Sequence, residues 1–392
     1  MKYLLYIILF LNSFNGVAQK YADKAYYLVD SLVLEELTEG DKKLIDNSLK
    51  KYHSAKEDSS QINALDDICE NMMHDDWSKF QFYQYELIKK LLKTNKTKAL
   101  KKSLANSLNN IGTIYNDQGD IPKAVEYYHK SFKIQEEIGD KEGIATSLNN
   151  IGYIYHNQGD IPKALEYYHK SLNIQEEIGD KEGIAISLNN IGVIYRNQGD
   201  IPKALEYNHK SLKIQEEIGN KLGIARSLNN IGMIYNNQED IPKALTYFHK
   251  SLKIYEEIGN KEGTAYSLNN LGFNELKKGN TSGIVAAKQH LLKALEIAQE
   301  IGYPDLISKV SSNLSKFYEK QGKGMKALDM HQLHIQMRDS INNEATLKAS
   351  IQQEAKYVFE KVQAVKDAAH EKQLAIEKEA KAKQQVITAA TG

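Results

Sequence analysis

The sequence predicts an all-α solenoid of stacked helical hairpins followed by one long helix, and three observations predict it. A forty-residue block recurs almost letter for letter from Leu104 to Phe273, with glycines at Gly112, Gly152, Gly192, Gly232 and Gly272. Within each block the apolar and small residues fall at helical spacing, as in Leu108, Ile111, Tyr115, then Ala124, Tyr128 and Phe132. From Ser340 to Thr388 neither proline nor glycine occurs, so one uninterrupted helix is expected there. Self-similarity at this period means stacked supersecondary units, each burying its apolar face against its neighbours.

Residues 1–18 read as a leader. Lys2 precedes an apolar run from Tyr3 to Leu11, and Gly16-Val17-Ala18 offers small residues to a signal peptidase, so cleavage is expected after Ala18. The run is far short of the roughly 20 residues that span a bilayer. An exported chain, periplasmic or membrane-associated with its repeats outside the cytoplasm, is the expectation.

Residues 19–100 form a helical N-terminal region. Leu65, Ile68, Met72, Gln81 and Tyr85 repeat the offsets of the strong units, with Cys69 in the glycine position, which marks residues 61–93 as a degenerate repeat. Cys69 is the chain's single cysteine, so no intramolecular disulfide framework exists. It reads as a small packing residue.

Residues 101–339 hold the array. Asp120 can cap the second helix of its unit, Pro122 is tolerated in the first turn, and Gly139 supplies a left-handed stop. Each block is therefore a helical hairpin. The insertion at Gly279–Gly283 is expected to lengthen one inter-helix loop, and Leu314, Tyr318, Gly322, Ala327 and His331 begin a further weak copy.

These units resemble the tetratricopeptide repeat family, whose spacing Leu108, Ile111-Gly112, Tyr115, Ala124 and Tyr128 match in order. Two departures stand out. Ser131 occupies a position where the family prefers alanine, and the period is forty rather than thirty-four. The longer period and the Leu-Asn-Asn-Ile run are similar to the subgroup that includes kinesin light chains and cell-polarity adaptors. The resemblance implies that the first helices line a concave groove, and that groove asparagines hold a peptide there.

Near-identical units disagree with one another at three columns: Asn106, Thr146, Ile186, Arg226, Tyr266; Thr113, Tyr153, Val193, Met233, Phe273; and Asn116, His156, Arg196, Asn236. Their offsets put all three on one face of the first helix. Free drift at wet positions yields polar residues, whereas this face carries Tyr153, Ile186, Val193, Met233, Tyr266 and Phe273, which favours a binding surface. Two constant columns run beside it: Asn109, Asn149, Asn189, Asn229, Asn269, and Asn110, Asn150, Asn190, Asn230, Asn270. An amide both donates and accepts, so such a ladder either grips an extended peptide backbone or bonds the neighbouring unit and stabilises the stack. Arg196 and Arg226 are the groove's cations.

Other classes of function find no support in the residues. The 51 basic and 51 acidic side chains balance and intersperse, so no field draws the chain to nucleic acid. His129, His169, His209 and His249 sit one hairpin apart, and packed helices roughly 8–10 Å apart cannot bring two of them onto one metal. Phosphate-loop and nucleophile-elbow motifs are absent, so neither catalysis nor a cofactor is expected.

Residues 340–392 change character. Ile351, Ala355, Val358, Val362, Val365, Ala369 and Ile376 follow a near-heptad seam that fails at Lys372, Glu379 and Lys383. A coiled-coil stalk joining two copies and a single helix held by charge pairs both fit this pattern. A leader, a repeat array and a charged helix together resemble the exported sensor half of bacterial membrane signalling proteins. That resemblance implies a peptide or protein ligand, and attachment to the membrane through a segment beyond Gly392.

Overall fold

The computed structural model describes residues 23–72 and 76–340, and every strong unit within them is a helical hairpin. First helices span Lys98–Asp117, Lys141–Asn157, Lys181–Gln198, Lys221–Asn237 and Lys261–Lys278; second helices span Ile121–Ile138, Ile161–Ile178, Ile201–Glu217, Ile241–Glu257 and Thr281–Glu300. Pro304–Lys320 and the helix over 324–340 add one more hairpin. Among the described residues there is no strand. The expected leader and the seam beyond residue 340 lie outside the described residues.

Local chemistry sets the helix ends. Asp120, Asp160, Asp200 and Asp240 each accept the backbone N–H three residues on, with proline in the first turn. Gly139 and Gly179 end their helices in the left-handed region at φ 66° and 72°. The following residues, Asp140, Asp180, Asn220 and Asn260, then cap the next first helix on Gly143, Gly183, Gly223 and Gly263. Each hairpin therefore hands directly to the next through a joint of two or three residues.

Close packing explains the periodic glycine and the unusual serine. A Cβ on Gly112 would lie 2.7 Å from the Tyr128 ring, and one on Gly232 2.7 Å from Phe248, so only glycine lets the two helices approach. Ser131, Ser171, Ser211 and Ser251 are buried, and each donates its hydroxyl to a first-helix carbonyl, those of Ala105, Ala145, Ala185 and Ala225, at 2.7–2.8 Å. The departure from alanine thus adds one cross-hairpin hydrogen bond per unit. Exposed pairs Lys101–Glu137, Lys181–Glu217, Lys221–Glu257 and Lys261–Glu300 join the start of each hairpin to its far end. Such wet pairs each contribute at most about 1 kcal/mol.

The N-terminal region is a cap. Asp58–Asn71 and Trp77–Leu91 form the degenerate hairpin, and Glu39–Ser54 lies against it, burying Ile45 and Leu49 with Leu65, Ile68 and Phe80. That extra helix covers the apolar end that an open array would leave to solvent.

The insertion does not lengthen a loop. Asn280 caps Gly283 directly, and the added residues extend the second helix at its start, giving Thr281–Glu300. A whole added stretch of helix keeps its own hydrogen bonds, whereas a longer loop would leave backbone groups to water.

Candidate functional site

Along the array the first helices of successive units approach one another more closely than the second helices do, which meet through side chains such as His169 and Tyr207. This asymmetry curves the stack and puts the first helices on its inner face. There the two asparagine columns meet. Asn150 Nδ2 donates to Asn109 Oδ1 at 3.3 Å, Asn190 to Asn149 at 3.1 Å, Asn230 to Asn189 at 2.9 Å and Asn270 to Asn229 at 3.1 Å. Each bond crosses from one unit to the unit before it.

The ladder runs further than its sequence signature. At one end Asn110 Nδ2 donates to Gln81 Oε1 of the degenerate hairpin (2.9 Å); at the other Asn313 Nδ2 donates to Asn269 Oδ1 (2.9 Å). Asn313 becomes visible in the sequence once the three inserted residues are subtracted, because Leu314 then aligns with Leu271. Gln81 carried no such signal, since it is an amide of another length on a second helix.

Every rung uses one oxygen of the first column and one NH2 of the second. The Nδ2 groups of Asn109, Asn149, Asn189 and Asn229 and the Oδ1 groups of Asn150, Asn190 and Asn230 bond no other described residue, and all these side chains are half-buried. Asn269 is buried at 6% exposure, which closes the ladder's last first-column amide to solvent. The asparagines therefore stabilise the stack and also present a fixed series of spare donors and acceptors on the inner face.

The variable columns divide. Tyr153 (46% exposed) and Ile186 (41%) project into solvent above the ladder. Val193, Met233 and Phe273 are half-buried; Met233 packs against the Phe248 cluster, and Lys277 Nζ lies 4.6 Å above the Phe273 ring. Tyr266 is engaged as well, donating to Asp305 at 3.2 Å with its ring edge on Tyr303. Arg196 bonds Asn197 through Nε and Nη2, with Asn197 in turn 3.5 Å from His156 Nε2. Burial lowers the His156 pKa, and Arg196 lowers it further. Arg226 stays exposed.

The histidine column lies elsewhere. His169 and His209 stand edge-on to Tyr207 and Tyr247 of the next unit's second helix, 6.5 Å between centroids. Among the described residues no group of His, Cys, Asp and Glu is placed to hold a metal ion. Cys69 is half-buried with its Sγ 4.0 Å from the Trp77 carbonyl, and burial pushes its thiol pKa up, away from a reactive thiolate.

The hairpins, their glycine–aromatic contact and their concave inner face define tetratricopeptide repeats, and the tetratricopeptide repeat family model matches residues 103–177, 143–217 and 223–300. Through these residues the chain belongs to that family. Its solenoid is similar to the solved apo form of RapI, at 18% identity over 78% of this chain and 99% of that one, TM-score 0.52. It is also similar to the signal transduction ATPase with numerous domains from Pyrococcus horikoshii, which carries a tetratricopeptide repeat sensor. That match has 18% identity, TM-score 0.56, and covers 79% of this chain but under half (46%) of the other. At these identities the likeness shows the fold. No curated protein matches the sequence significantly. Among the described residues no helix is long and apolar enough to cross a membrane.

Proposed function

We propose that the inner face holds an extended segment of a peptide or protein along the asparagine ladder. The observation that carries this reading is the set of spare amide groups: rung bonding fixes each asparagine's orientation, leaving first-column donors and second-column acceptors on a half-open face. Fixed amides pay little ordering entropy when they bind backbone. Packed helices lie about 8–10 Å apart and an extended chain advances about 3.3 Å per residue, so one unit spans about three ligand residues. Tyr153 and Ile186 add exposed apolar contacts beside the ladder.

The test is selection of a random peptide display library on the purified full-length chain, followed by titration of a selected peptide. Tyr153→Ser and Ile186→Ser are expected to weaken binding by about tenfold each, the loss of a buried apolar contact. Binding unchanged in both variants would move the site off this face.

We infer further that the module is the extracytoplasmic sensor part of a membrane signalling protein, anchored through a segment beyond Gly392 and dimerising along the Ile351–Ile376 seam. The apolar run before Ala18 supports export, and the Ile351–Ile376 seam supports a stalk. A free exported adaptor and a self-assembling structural protein are the competing readings. Fractionation of the source cells with intact-mass measurement separates them. A membrane-bound species heavier than 44.4 kDa supports the sensor. A soluble exported species lacking residues 1–18 supports the adaptor, and a full-length cytosolic species overturns export altogether.

A further inference from the structure

A cavity of about 270 Å³ opens on the inner face where the helix Asp58–Asn71 meets the first helices of units one and two. Asp66, Glu70, Asp140 and Glu142 line it with a single cation, Lys102, while Asn106 and Asn109 of the groove columns form its inner wall. Four carboxylates against one ammonium leave three negative charges unbalanced in a chain whose formal net charge is zero.

Lys102 completes neither of the pairs it approaches. Its Nζ lies 3.5 Å from Asp140 Oδ2 and 3.6 Å from Glu142 Oε2, both beyond a good charged hydrogen bond. Asp140 is the telling residue. Its side chain is only 10% exposed, Oδ1 caps Gly143 N–H, and the buried Oδ2 on the cavity wall has no hydrogen-bond donor. A buried carboxylate oxygen without a donor is costly, and native proteins rarely leave one. Asp66 accepts a bond from Gln84 Nε2 at 2.6 Å and forms no ion pair among the described residues, and burial pushes its carboxyl pKa up.

Later units do not rebuild this cavity. The positions of Asp140 and Glu142 become Asp180 and Glu182, then Asn220 and Leu222, then Asn260 and Glu262, and Asn220 Nδ2 closes onto Glu182 Oε1 at 3.0 Å. Acidity is thus concentrated at the N-terminal end of the inner face, while the exposed Arg226 lies towards the other end. The carboxylates that line the cavity are acceptors, and an organic cation with several N–H groups can donate to more than one of them at once.

We propose that this cavity is the subsite for a lysine or arginine side chain of the bound peptide, fixing the direction in which the ligand lies along the ladder. The proposal rests on the groove reading given above. Its test is the same peptide selection on the full-length chain, followed by titration of selected peptides into the Glu70→Gln and Glu142→Gln variants, whose residues are exposed and cap no helix. Expected are peptides enriched in Lys or Arg towards one end, a loss of about tenfold in affinity in each variant, and a steep fall of affinity with salt. Replacing that basic residue in the peptide by norleucine should reproduce the loss in the parent chain and cause none in the double variant. Peptides that bind through Tyr153 and Ile186 but show no basic residue, or keep their affinity in both variants, overturn the subsite and leave the groove standing. If no peptide is selected at all, the groove reading fails and the subsite falls with it.

Discussion

Asn208 stands where Tyr128, Tyr168 and Phe248 stand in the neighbouring units, packed against Gly192 and fully buried. Its Nδ2 turns back to the Ala204 carbonyl at 2.8 Å, and its Oδ1 has no partner. A lone buried acceptor costs about 1–3 kcal/mol, and the aromatic ring that would fill the site is missing. Asn208→Phe is therefore expected to stabilise the chain by about 1–3 kcal/mol; an unchanged or lower thermal midpoint would show that the third unit cannot seat the ring. Ser171→Ala, by contrast, removes the hydroxyl that donates to the Ala145 carbonyl at 2.8 Å. A loss of about 1 kcal/mol by urea unfolding is the expected outcome. The period marks Asn208 as an exception in its column, but only packing shows that its oxygen is stranded.

At the scale of the helix, two kinds of glycine serve different purposes and should respond differently. Gly152 lies inside a first helix with the Tyr168 ring 2.9 Å from any added Cβ, so Gly152→Ala forces the hairpin apart and is expected to cost about 1–3 kcal/mol. Gly159 has nothing near it but sits at φ 79°, and alanine there is expected to cost about 1 kcal/mol through backbone strain alone. Chemical denaturation of the two variants separates these costs; equal losses would contradict the packing account. The ladder behaves as an element too. Asn190→Ala removes the donor to Asn149 Oδ1 and is expected to loosen the contact between units two and three. Hydrogen exchange should rise locally in 141–157 and 181–198, without a comparable rise in 304–320. The sequence left the asparagines open between stacking and binding. Their bonds show that stacking uses half of each rung's capacity, a division that depends on the distance between two helices forty residues apart.

Over the whole solenoid the buried histidines and the capping aspartates act together, and their signs agree. Burial lowers the pKa of His129, His156 and His290 below the ordinary 6.5, so the unfolded chain binds these protons first and stability falls as pH drops below about that value. Hydrogen bonds from Lys163, Lys203 and Lys243 lower the pKa of Asp160, Asp200 and Asp240, whose contribution persists until pH falls below their ordinary 3.8. Acid unfolding is expected in two stages, a shallow loss from about pH 6.5 and a steeper one below 3.8, followed by circular dichroism. A single transition confined to the lower range would mean that the histidines are not held neutral. The sequence alone determined the hairpins and their caps, because period, capping residues and glycine spacing are local properties written within one unit; which helices face inward it offered only through the family resemblance. Only the tertiary structure decided that the asparagines bond one another, that the insertion lengthens a helix, and that four carboxylates from two helices and the cap of one of them gather around one cavity. Each of those outcomes depends on atoms brought together from different units, and no spacing within a single helix records their distance.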